Sequence, residues 1–141
     1  MHFDDRLATV LRNTAGSETI ARAQYRQLLD LLGTSPSDAH DPQTDAAYLR
    51  LTELSQRIPA AARAAMLGEP ILRLRSPRLL THLAEAEPVV AAAAMAGARL
   101  DEDQWLDLIP ALPIRARGLV RHRDDLGPAV EALLELSLIH I

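Results

Sequence analysis

Apolar residues recur along the chain at helical spacing in short bursts, each closed by glycine, proline or a polar cluster. Leu7, Val10 and Leu11 share a face over residues 3–12, behind Asp4 and Asp5, whose charge suits the first turn of a helix. Asn13, Thr14, Ala15 and Gly16 break that pattern. Ser17 and Glu18 then open a longer helix with Ile20, Ala21, Gln24, Leu28, Leu31 and Leu32 on or near one side, and Gly33 as its C-terminal stop. Pro36, Ser37, Asp38, Asp41 and Pro42 predict an exposed loop over residues 34–43. Ala47, Leu51, Leu54 and Ile58 stripe a helix over residues 44–58, and Pro59 opens another that Gly68 closes. Residues 69–75 read as a connector with room for one helical turn. Nowhere does the two-residue period of a strand appear, so the pattern predicts an all-α chain.

From Ser76 onward the pattern repeats. Pro88-Val89-Val90 and Pro113-Ile114-Arg115 lie 25 residues apart, as do Ser76-Pro77 and Asp101-Glu102, and Gly127-Pro128 starts a third unit 26 residues after Asp101. Ser76 and Asp101 are good N-cap residues, and proline suits the first helical position. Leu79, Leu80 and Leu83 align with Gln104, Trp105 and Leu108, and with Val130, Glu131 and Leu134. Helices this short do not persist alone in water, so neighbouring units must bury one another's apolar faces. The expectation is a stack of short antiparallel helices, HEAT-like or an irregular bundle, although HEAT units usually run to about 40 residues. Residues 1–68 form an N-terminal helical part and residues 69–135 the repeats, continuous with it.

Composition supports helices: 48% of the 141 residues are hydrophobic but only 3% aromatic, so the core is built from Ala, Leu and Val. No cysteine is present, which excludes disulfides, thiolate catalysis and cysteine-ligated zinc. A formal charge of −4 weighs against a nucleic-acid-coating protein. No apolar run reaches the ~20 residues of a membrane span and no charged-then-apolar leader opens the chain, so no membrane partner and a cytoplasmic location are expected. All fifteen basic residues are arginine, which with abundant alanine marks a GC-rich genome. Leu136-Ser137-Leu138-Ile139-His140-Ile141 departs from that style and matches the in-frame translation of a transposon mosaic-end adapter. Residues 136–141 are therefore expected to be a processing scar, with the natural chain continuing past Glu135.

Candidate chemistry is sparse. The six glycines form neither GxGxxG nor GxxxxGK, so no phosphate cradle and no cofactor is expected. Asp101, Glu102 and Asp103 crowd three carboxylates into a helix's first turn, where capping explains them better than a metal. His2, His40 and His122 lack partners at metal-ligand spacing and read as surface residues. Trp105, the sole tryptophan, is expected to anchor the core. Arg115, Arg117, Arg121 and Arg123, with His122, place four positive charges within nine residues read as one helix. Arg117 and Arg121, four apart, share a face and repel unless an acidic partner lies opposite. The alternatives are a solvated face, aided by Asp124 and Asp125, and a basic ridge that docks an acidic partner. Arg73, Arg75 and Arg78 form a second cluster.

A family likeness bears on function. Phe3-Asp4-Asp5-Arg6-Leu7-Ala8-Thr9-Val10-Leu11-Arg12 and Gln27-Leu28-Leu29-Asp30-Leu31-Leu32-Gly33 resemble the N-terminal region of certain bacterial sensor histidine kinases. So do Ser76-Pro77-Arg78-Leu79-Leu80 and Trp105-Leu106-Asp107-Leu108-Ile109-Pro110-Ala111-Leu112-Pro113, and Leu100-Asp101-Glu102-Asp103-Gln104-Trp105-Leu106 is similar to a bacterial family of HEAT-like helices of unknown function. The likeness implies a helical segment preceding a PAS-like sensory region and a kinase core. It carries no catalytic residue onto this chain: His82-Leu83-Ala84-Glu85-Ala86-Glu87-Pro88 has its acidic residue and proline at the wrong spacing for a phosphoacceptor motif. The expectation is a non-catalytic regulatory or protein-interaction module of a two-component kinase, partnered by downstream domains or another protein and dimeric through the parent. The alternative is a stand-alone HEAT-like scaffold.

Overall fold

A computed structural model describes residues 3–12, 16–35 and 41–139. The described residues fold into α1 (Phe3–Arg12), α2 (Glu18–Thr34), α3 (Pro42–Ser55), α4 (Ala60–Leu67), α5 (Pro77–Ala84), α6 (Pro88–Gly97), α7 (Glu102–Leu108), α8 (Ile114–Val120) and α9 (Pro128–Ile139), with a 3₁₀ turn at Ile109–Ala111. The chain is all-α. Its one β-like feature among the described residues is an isolated parallel bridge between Leu74 and Ala98.

Side-chain caps set the starts of α2, α3, α5 and α7. Ser17 accepts from the N–H of Ile20, Asp41 from Thr44 and Ser76 from Leu79, and Asp101 and Gln104 close a reciprocal capping box. That box identifies the Asp101, Glu102 and Asp103 cluster as a helix start. Pro42, inside the expected loop, is instead the first residue of α3, capped by Asp41, so the connection is shorter than the polar run implied. The prolines also differ in position: Pro88 is the first residue of α6, whereas Pro59 and Pro113 are the caps just before α4 and α8. Residues 13–15 and 36–40, where the first break and part of the loop were expected, lie outside the described residues.

Helices α1, α2 and α3 pack on one another, α4 packs on α6, and α6 packs on α8. In a second row α5 packs on α7 and α7 on α9, while α5 touches α6 and α8 touches α9 across the rows. This packing is consistent with a helical repeat or bundle, and the row of second helices reaches back one step further, to α4. One core runs through both halves, from Leu7, Tyr25 and Leu51 to Leu83, Trp105, Leu108 and Leu134. Trp105 is buried as expected, with the Arg123 guanidinium 5.2 Å from its ring centre. Ile20, expected near the buried face of α2, is 46% exposed in the first turn.

Gly33 does not end α2, which continues to Thr34. A Cβ there would collide with the carbonyl of Arg73, and the Gly33 carbonyl accepts from the N–H of Arg75 at 3.0 Å. Residues 73–75 run extended against α2 on one side, while Leu74 accepts from the Arg99 N–H at 2.9 Å on the other. The connector holds no helix: it makes one turn, closed by the Leu72 N–H on the Glu69 carbonyl at 3.1 Å, and then stitches the two halves together through main-chain bonds. At the far end α9 extends to Ile139, so residues 136–139 continue its helix. Among the described residues no helix is long and apolar enough to cross a membrane.

Candidate partner-binding groove

The four arginines weighed as a solvated face or a docking ridge do not lie on one helix. Helix α8 stops at Val120, so Arg121 is its C-cap and Arg123 lies beyond it, off any shared helical face. Three of the four guanidinium groups turn onto main-chain carbonyls at helix ends. Arg115 reaches the Glu85 and Ala86 carbonyls at 3.4 and 3.5 Å, and Arg117 those of Leu112 and Pro110 at 3.1 and 2.9 Å. Arg123 reaches Met95 and Ala96 at 2.7 and 3.1 Å while forking onto Asp125. Arg50 does the same at Leu11, 3.0 Å away, and Arg63 at Ile58, 2.9 Å away. The last carbonyls of a helix lack internal partners and carry its negative pole, and guanidinium offers five donors on a long stem. In this stack of many short helices, arginine serves as mortar between helix ends. Arg121 remains exposed, beside Glu131 and Glu135.

A groove of about 630 Å³ lies on the row of first helices and involves α3, α5 and α7. Tyr48, two turns into α3, is covered by Arg78, whose guanidinium carbon sits 4.2 Å from the ring centre. Arg78 also donates to Asp45 at 2.7 Å. One turn further along α5, the His82 ring leans on the same tyrosine, with centroids 5.2 Å apart and planes tilted by 52°. Its Nε2 lies 3.4 Å from the Thr52 hydroxyl oxygen. Gln104 and Asp107 of α7, with Leu108 and Ala111, form the opposite wall. Of the residues singled out from sequence, Arg78 and His82 come together here; Arg73 and Arg75 stay exposed, as does His122. His2 and His40 lie outside the described residues.

Behind His82 lies a smaller cavity of about 250 Å³, lined by Tyr25, Arg63 and Glu87 among others. Arg63, whose side chain is 5% exposed, forks onto Glu87, with Nη1 donating to Oε1 at 3.0 Å. That pair ties α4 to the start of α6 and holds the Glu87 carboxyl down at about 2. Burial pushes the Tyr25 hydroxyl up to about 12, although the Arg63 charge pulls the other way. His82 is pushed below the usual imidazole range, first by burial and then by the Arg78 charge.

Tyr48, Gln104 and Asp107 were not legible as site residues. One signal was available: His82 and Asp107 each stand six residues after their caps, Ser76 and Asp101, so the 25-residue repeat places them at equivalent positions. No protein-family model, curated protein or solved structure matches the chain.

Proposed function

We propose that this chain is a non-catalytic protein-interaction module whose groove receives an extended peptide segment carrying a basic side chain. Charge balance in the groove supports the reading. Arg78 is neutralised by Asp45, His82 is held uncharged, and exposed Asp107 makes no ion pair among the described residues. Tyr48, Pro77, Leu108 and Ala111 offer apolar contact. Thr81, whose proton goes to the Pro77 carbonyl at 3.0 Å, keeps an oxygen to accept, and Gln104 keeps amide N–H groups to donate. Such donors and acceptors suit a peptide backbone, and the carboxylate selects the side chain.

Fluorescence anisotropy with short labelled Ala/Gly peptides bearing a central Arg or a central Glu tests this at neutral pH. The Arg peptide is expected to bind, and Asp107→Asn to weaken it about fivefold, the effect of an exposed charge pair of ~1 kcal/mol. Equal binding of both peptides, or no effect of Asp107→Asn, overturns the proposal.

The likeness of residues 3–12 and 27–33 to the N-terminal region of sensor histidine kinases supports a regulatory setting. The segment would then come from a downstream sensory or kinase domain, or from another protein. In the stand-alone HEAT-like scaffold reading it comes from a separate protein alone. The reading frame after Glu135 separates them: a PAS-like segment and a phosphoacceptor helix select the first, a stop codon the second.

A further inference from the structure

We infer that His82 is an acid-released latch: its neutral ring closes the wall between the groove and the smaller cavity, and on protonation it leaves Tyr48 and turns across the groove to Asp107. As regulation of the groove, this rests on the docking reading above; as a movement of the free chain, it does not.

The partition is visible in the lining, since His82 borders both the groove and the cavity of Tyr25, Arg63 and Glu87. Two contacts with α3 hold the ring there, the tilted stack on Tyr48 and the approach to Thr52. The Thr52 hydroxyl donates to the Tyr48 carbonyl at 3.1 Å, so its oxygen is free to accept from His82 Nε2–H. That tautomer leaves Nδ1 without a proton. Protonation there adds a donor and a full charge.

The resting position does not support that charge. On α5 itself, Arg78 repels it and Glu85 sits at the exposed C-cap. From α3, Asp45 is engaged by Arg78, and Tyr48 and Thr52 are neutral. Around the smaller cavity Arg63 is a second cation, Glu87 is engaged by Arg63, and Tyr25 stays un-ionised. From α7 comes Asp107, a carboxylate without an ion pair among the described residues. It occupies the same repeat position as His82 on a helix packed against α5, and two side chains together span an interhelical distance of about 8–10 Å. Burial and Arg78 keep the latch shut at neutral pH, so it opens only on acidification below the usual imidazole range. Opening joins the two spaces and occupies the carboxylate that the basic segment needs, so acid releases the segment.

NMR titration of the free protein from neutral pH to below the usual imidazole range tests this. The Tyr48 ring and Thr52 methyl signals are expected to shift with the same midpoint as the His82 ring, and Asp107→Asn to move that midpoint down by about half a pH unit. In His82→Gln the Tyr48 and Thr52 shifts are expected to vanish. Stationary Tyr48 and Thr52 signals while His82 titrates, their persistence in His82→Gln, or a midpoint unmoved by Asp107→Asn each overturns the latch. Should His82→Gln fail to fold, the wild-type and Asp107→Asn titrations decide alone. Coupled titration without peptide binding retains the latch and discards docking; peptide binding without coupled titration does the reverse.

Discussion

Replacing Arg63 by alanine should be among the most damaging substitutions of a charged residue in this chain, and more damaging than removing its partner. The guanidinium makes two kinds of bond, one to the Ile58 carbonyl just beyond the end of α3 and a fork onto Glu87 at the start of α6. Arg63→Ala leaves the Ile58 carbonyl without its side-chain donor, at a cost of ~1–3 kcal/mol. It also empties the space of the buried Cγ and Cδ methylenes that alanine lacks, worth roughly 0.8 kcal/mol each. Together these give about 3–5 kcal/mol. Glu87→Ala keeps the stem and the Ile58 bond. It removes a carboxylate whose side chain is 52% exposed, so its charge-assisted bonds are discounted by solvent, leaving about 1–2 kcal/mol. Urea unfolding followed by far-UV circular dichroism measures both. The reasoning fails if Arg63→Ala costs under 1 kcal/mol, or if Glu87→Ala costs more than Arg63→Ala.

The same ion pair sets an acid limb. Because the Glu87 carboxyl titrates near 2 when folded and near 4.5 as its reference value, the pair's stabilisation is complete above the reference value and fades as pH falls from about 4.5 towards 2. A Glu87→Gln variant should show a shallower loss of stability across that window in acid-unfolding curves. Glycine substitutions should split in sign: Gly33→Ala destabilises, because its Cβ meets the Arg73 carbonyl, whereas Gly118→Ala within α8 meets nothing within 4 Å and should gain ~0.5–1 kcal/mol. Thermal melts of the two variants moving in the same direction would contradict this. Leu83→Ala or Leu108→Ala, at matching buried positions of successive units, should each cost ~2–5 kcal/mol by chemical denaturation, and a change within error for both would undo the repeat register.

Much of the fold was readable because the signals are local. A cap followed by a proline or an acidic residue marks a helix start whatever surrounds it, so Ser76, Asp101 and the 25-residue period located α5 and α7 directly. Ala47, Leu51 and Leu54 are buried on α3 as their spacing required, whereas Ile58, expected on the same helix, is buried beyond its end at Ser55. Where the local reading erred, a neighbour had intervened. Gly33 resembles a C-terminal stop, yet its lack of a side chain serves the passage of residues 73–75. Arg115, Arg117 and Arg123 resemble a charged ridge only while their sequence neighbours are counted and the helix ends within their reach are not.

The order and many of the caps of the short helices, the absence of a strand period and the burial of most of the apolar stripes belong to the sequence, because turn and cap chemistry acts within a few residues. Tertiary structure decided which carbonyls the arginines answer, and which side chains from α3, α5 and α7 share one groove. Those depend on distances between helices far apart in the chain, which no spacing along a single helix encodes.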